Sequence, residues 1–105
     1  MISLEKVQEN LEKLIGKTYS SLDFSESAYD DIICAWEDFE HNGETQAIVS
    51  DDGEDYDPPF LSTYINKKDS PEFTLYIERD VHFSEEYGEN VEEFTITEIK
   101  KGSRW

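Results

Sequence analysis

Residues 73–78 read FTLYIE, in which the apolar side chains of Phe73, Leu75 and Ile77 alternate with the side chains of Thr74, Tyr76 and Glu78, which are more polar. Successive side chains of a β-strand point to opposite faces of a sheet, and this period of two predicts a strand with one buried face. Three more segments have strand character, namely residues 46–50, 60–66 and 91–99. The second part of the chain is therefore predicted to form a sheet of three or four strands.

The N-terminal segment shows the period of an α-helix instead. Apolar side chains recur at helical spacing from Leu4 to Ile15 and form one stripe. Ser3 precedes this stripe as a capping residue, and Gly16 follows it, where a helix commonly ends. A helix is therefore predicted from Leu4 to about Ile15, and residues 18–27 after it are predicted to be a loop.

A second helix is predicted from Ser27 to about His41. Apolar side chains recur at helical spacing and lie on one face of this helix, namely Ala28, Ile32, Ala35, Trp36 and Phe39. Asp30 and Asp31 then lie in the first turn, where negative charge is favourable. A buried strand over residues 32–36 is the competing interpretation, because this short run is apolar throughout.

This order of elements predicts an α+β fold, in which two N-terminal helices pack on a three- to four-stranded, mainly antiparallel sheet. A chain of 105 residues has the length of one domain, so residues 1–105 are predicted to form a single domain. The basic tail, residues 100–105, is expected to be frayed. The periodic apolar pattern indicates a folded chain, although high net charge is also common in disordered proteins.

The charge excludes several classes of partner. The chain carries 26 acidic and 9 basic residues, which gives a net charge of −17. Such a surface repels the phosphates of nucleic acids and of anionic membranes, so neither is expected as a direct partner. The N-terminal sequence lacks the basic and apolar regions of a secretory signal. With its single cysteine, Cys34, the chain is expected to be cytoplasmic, and Cys34 is expected to be a small buried residue.

The acidic residues are concentrated in two stretches without Lys or Arg. Residues 18–66 contain 13 acids, and residues 80–99 contain seven more. Both stretches also carry aromatic side chains next to the acids, as interface hot spots commonly do. The sequence therefore predicts a partner-binding surface formed by Asp51, Asp52, Glu54, Asp55, Tyr56, Asp57, Glu37 and Asp38. The competing interpretation is that the acidity serves only solubility or a salty environment.

No pattern in the sequence indicates catalysis or metal binding. His41 and His82 lie far apart, and neither belongs to a metal-ligand motif. The acidic segment from Asp51 departs from an EF-hand loop, since Gly53 stands at position three and Tyr56 at position six. We therefore expect no catalytic residue, no metal site and no cofactor, and we expect that the protein is not an enzyme.

In size, acidity and its combination of Tyr and Trp with carboxylates, the chain resembles the small bacterial immunity proteins of polymorphic and contact-dependent toxin systems. In the same general sense it is similar to barstar-like nuclease inhibitors. The resemblance implies a cytoplasmic protein that binds one cognate toxin domain in a one-to-one complex. A nuclease is the expected toxin, because a cleft that attracts phosphate is lined with Lys and Arg and therefore attracts an acidic protein. The alternative is a phage-type DNA mimic that inhibits DNA-binding proteins.

Overall fold

The structure, a computed structural model, describes residues 2–20, 24–50, 58–66 and 69–102. Within these ranges, five strands form one sheet: β1 (Thr18–Ser20), β2 (Ile48–Ser50), β3 (Phe60–Tyr64), β4 (Glu72–Ser84) and β5 (Glu89–Lys101). They lie in the order β1-β5-β4-β3-β2, and each neighbouring pair is antiparallel. Two α-helices, α1 (Leu4–Glu12) and α2 (Tyr29–Ala35), complete the α+β fold, and one π-helical turn, Phe24–Ala28, leads into α2.

The first helix begins where the sequence places it and ends earlier. Ser3 Oγ accepts a hydrogen bond from the Lys6 amide at 3.2 Å, which confirms the predicted cap. The helix ends at Glu12, and Gly16 then adopts a left-handed backbone with a φ of 89°. The Gly16 amide donates to the Ile96 carbonyl of β5 at 2.7 Å. The last predicted turn therefore connects the helix to the sheet.

A second helix is present and the competing strand over 32–36 is excluded, but the helix runs from Tyr29 to Ala35 instead of from Ser27 to about His41. Trp36 and Phe39 both turn into the core, and their rings meet edge to face at 5.2 Å. Between them, Asp38 adopts a left-handed backbone with a φ of 67°. The helical hydrogen-bond pattern has already changed at Trp36, whose amide donates to the Ile33 carbonyl at 3.0 Å, so the apolar spacing extends beyond the helix itself.

The sheet has more strands and longer strands than predicted. The segment Thr18–Ser20, predicted to be a loop, forms β1 and pairs with β5, and its Tyr19 is buried. β4 continues through residues 78–84, of which 78–83 are exposed, because its partner β5 supplies the backbone hydrogen bonds there. β5 likewise continues to Lys101, which pairs with Phe73, so the prediction of a frayed tail is wrong for its first two residues. Residues 103–105 lie outside the described residues.

The core joins both helices to one face of the sheet. Its buried cluster includes Val7 and Leu11 from α1, Ile32 and Ala35 from α2, and from the sheet Leu61, Phe73, Leu75, Ile77 and Ile96. Trp36 lies among these side chains with 1% of its surface exposed, and its indole N–H donates to Thr63 Oγ1 at 3.0 Å. None of the helices in the described ranges is long and apolar enough to cross a membrane.

Candidate partner-binding surface

The predicted surface is described only in part. Asp51, Asp52, Glu54, Asp55, Tyr56 and Asp57 lie outside the described residues. Glu37 and Asp38 are described, and both are exposed on the turn that follows α2. The geometry of this turn therefore decides how acidic groups are presented in the described part of the chain.

The turn is fixed by its buried neighbours. The Glu37 amide donates to the Cys34 carbonyl at 3.1 Å, and the Phe39 amide donates to the Trp36 carbonyl at 2.9 Å. The Asp38 carbonyl accepts from the Ile2 amide at 3.1 Å, which connects the turn to the N-terminus. Because Trp36 and Phe39 occupy the core, the side chains between them are held on the outside. The carboxylates are thus positioned by the packing of their aromatic neighbours.

Beside the turn lies an open groove, which we call the acidic groove, and its outer lining includes Ile33, Cys34, Glu37, Asp38 and Glu40. Trp36 also lines it, and Thr45 and Gln46 complete the lining. Ile33 and Glu40 are exposed and were missed at the sequence level. The exposure of Ile33 could have been predicted from the helical pattern, because a helix whose core face carries Ile32, Ala35 and Trp36 turns residue 33 outward.

The exposure of Cys34 also differs from the prediction. We expected a buried side chain from its apolar neighbours, and the structure places it on the exposed side of α2. The physical reason is the period of the helix, which separates Cys34 from its buried neighbours Ile32 and Ala35.

The carboxylates of the acidic groove have no basic partner in the described part of the chain. The ion pairs in the described part of the chain involve other acids, for example Glu9 with Lys6 and Asp31 with Lys17. The sequence accounts for this, because residues 18–66 contain no Lys or Arg. Glu37, Asp38 and Glu40 therefore form a local negative field beside exposed Ile33.

A second group of acids lies on the β4–β5 hairpin. Asp80 faces Glu93 across the two strands, and His82 Nε2 lies 3.6 Å from Glu93 Oε1. One ligand atom from each of these three residues lies within 4.8 Å of the other two. Among the described residues this is the set whose chemistry and spacing suit a divalent cation. The side-chain contact between His82 and Glu93 already accounts for their closeness, so the geometry alone identifies no metal site.

A third cluster links α2 to the edge of the sheet. Asp31 forms an ion pair with Lys17 and accepts a hydrogen bond from the Tyr19 hydroxyl at 2.7 Å. Hydrogen bonding by Lys17, and then by Tyr19, holds the pKa of Asp31 below its ordinary value. Burial, together with the negative charge and hydrogen bond of Asp31, raises the pKa of Tyr19. Both shifts show that the ionised Asp31 and the neutral Tyr19 are the stable pair.

Substitution of Asp31→Asn is expected to lower the free energy of unfolding at pH 7 by about 0.5–1 kcal/mol, since the lost ion pair is partly exposed. Because folding lowers the pKa of Asp31, its ion pair stabilises the folded state at pH values above the pKa of Asp31 in the unfolded chain. This stabilisation is lost as the pH falls through the pKa of Asp31 in the folded state. The difference between wild type and variant should therefore shrink below about pH 4. Urea unfolding between pH 3 and 7 measures it, with Asp30→Asn as the control. An equal deficit in both variants at every pH would contradict the assignment.

Comparison of the chain with protein-family models, with curated proteins and with solved structures found no match.

Proposed function

We propose that this protein neutralises a basic toxin domain, namely a nuclease, by binding it through acidic surface residues in a one-to-one complex. The observation that carries the proposal is the acidic groove. Its exposed carboxylates, Glu37, Asp38 and Glu40, have no basic partner among the described residues, and apolar Ile33 lies beside them. The chain thus presents uncompensated negative charge on a turn whose backbone is fixed by the core.

Charge of this kind has a physical cost and suits a particular partner. Like charges held close together repel one another, so a net charge of −17 lowers the stability of the folded state. The same field speeds association with a positively charged surface, and carboxylates form strong hydrogen bonds with Arg and Lys. A nuclease cleft supplies such groups, because it must attract phosphate. The contact residues predicted between 51 and 57 lie outside the described residues, and their contribution to binding stays a prediction.

Neutralisation of a toxin tests the proposal. The C-terminal domain encoded by the gene next to this one would be expressed alone and with this protein. The proposal expects a basic domain that stops growth, recovery of growth on co-expression, and inhibition that is complete at equimolar amounts. A neighbouring product that is harmless or is not bound would contradict the proposal. Binding to several unrelated DNA-binding proteins would support the DNA-mimic alternative instead.

A further inference from the structure

The outer half of the β4–β5 hairpin extends beyond the rest of the described sheet. Pairing between β3 and β4 ends at Tyr76, and pairing between β1 and β5 ends at Glu93. Past these points, residues 81–84 pair with residues 89–92, and no other described strand pairs with them. The described part of the molecule is elongated, with extents of 48 × 25 × 18 Å. This outer part is therefore a two-stranded ribbon.

One face of the ribbon carries exposed apolar side chains. Side chains two apart on a strand share a face, so Val81 and Phe83 continue the face on which Ile77 enters the core. Ile77 is buried, whereas Val81 is 54% exposed and Phe83 is 61% exposed. Tyr87, in the turn that ends the ribbon, is exposed as well. Large exposed apolar side chains that lie close together are typical of interaction sites.

The charges around this face favour one kind of occupant. Glu92 lies opposite Val81 on the same face, and the turn adds Glu85 and Glu86. Arg79 is the only Lys or Arg between residues 78 and 99, and its Nε already lies 4.0 Å from Glu92. A second copy of this chain would bring like charges together, and phosphate groups would be repelled. A basic protein segment with apolar side chains matches both properties of the face.

We propose that this face, formed by Val81, Phe83 and Glu92, is a docking surface for a basic and apolar protein segment. Val81 and Phe83 would contact the apolar side chains of that segment, and Glu92 would bind its Arg or Lys. That this segment belongs to the toxin domain rests on the proposed function. The docking surface would then be a second contact of that domain, separate from the acidic groove.

Titration of the ¹⁵N-labelled protein with two synthetic peptides, acetyl-RLRLRLRL-amide and acetyl-RGRGRGRG-amide, tests the docking surface. The leucine peptide should shift the amides of residues 79–92 most strongly, and it should bind at least about tenfold more tightly than the glycine peptide. The variant Val81→Ser/Phe83→Ser should lose this preference. A matched control is Ile15→Ser/Ile48→Ser, which removes two apolar side chains of similar exposure, 46% and 47%, and should bind as the wild type does.

Three results would overturn the docking surface: equal binding of both peptides, shifts centred on residues 33–40, or self-association of the protein through the hairpin. Shift mapping uses the wild type, so the outcome does not depend on how well a variant folds. The toxin domain separates the two proposals. If Val81→Ser/Phe83→Ser neutralises the toxin as well as the wild type does, the hairpin is not a toxin contact and the proposed function stands. If the wild type fails to bind the toxin while the leucine peptide maps to the hairpin, the proposed function fails and the docking surface stands.

Discussion

Replacing Trp36 with alanine is expected to lower the free energy of unfolding by about 3–5 kcal/mol, the largest effect we expect from a single substitution. The indole is 1% exposed and meets the rings of Phe39 and Phe73 edge to face, at 5.2 and 5.6 Å. Truncation would leave a cavity between α2 and the sheet. It would also remove the only hydrogen bond found for Thr63 Oγ1 in the described part of the chain, whose donor is Trp36.

Urea unfolding followed by circular dichroism measures this loss. Trp36→Phe keeps much of the ring packing and removes the hydrogen bond, so it should cost less, about 1–2 kcal/mol. This second variant keeps the test decisive if Trp36→Ala fails to fold. A loss of under about 1 kcal/mol for Trp36→Ala would show that Trp36 is not the centre of the core.

Neutralising the acidic groove is expected to slow binding of the basic toxin domain by about tenfold or more at low salt. The variant Glu37→Gln/Asp38→Asn/Glu40→Gln removes three exposed carboxylates and leaves the core residues unchanged. Stopped-flow mixing measures the association rate constant. Because the charge acts on the encounter of the two proteins, the association rate constant should change more than the dissociation rate constant.

The matched control removes the same charge elsewhere. Glu5→Gln/Glu9→Gln/Glu12→Gln neutralises three exposed carboxylates of α1, so both variants have the same net charge. The control should slow association by less than about threefold, since screened charges away from the contact act weakly. Equal slowing in both variants would mean that only the total charge matters, and the acidic groove would not be the contact.

Periodic segments were predictable from the sequence, and segments held by distant partners were not. Alternation at 73–77 gives the central strand, and the stripe from Leu4 gives the first helix. The three residues of β1 are too few to show a period, and they form a strand because β5 lies beside them. The sequence of the outer hairpin is rich in charged residues, yet Val81 and Phe83 continue the alternating apolar pattern of Ile77. That alternation indicates a longer strand, and we did not predict one.

The candidate surface was predictable in composition and only partly in position. The base-free stretch indicates acids without partners, and Glu37 and Asp38 are indeed exposed. The early end of α2 and the left-handed backbone of Asp38 that follows it are not visible in the helical pattern. Glu37, Asp38 and Glu40 all line the groove next to that turn, so the acidic groove is a feature of the fold.

The dissociation constant of the wild-type complex with the basic toxin domain, measured by calorimetric titration at 50 and 500 mM NaCl, tests the central claim most directly. If acidic residues bind a basic surface, the titration should give one molecule of each partner. The dissociation constant should rise by about tenfold or more at the higher salt, because salt screens the attraction between the two charged surfaces. A complex whose dissociation constant is the same at both salt concentrations would contradict the account.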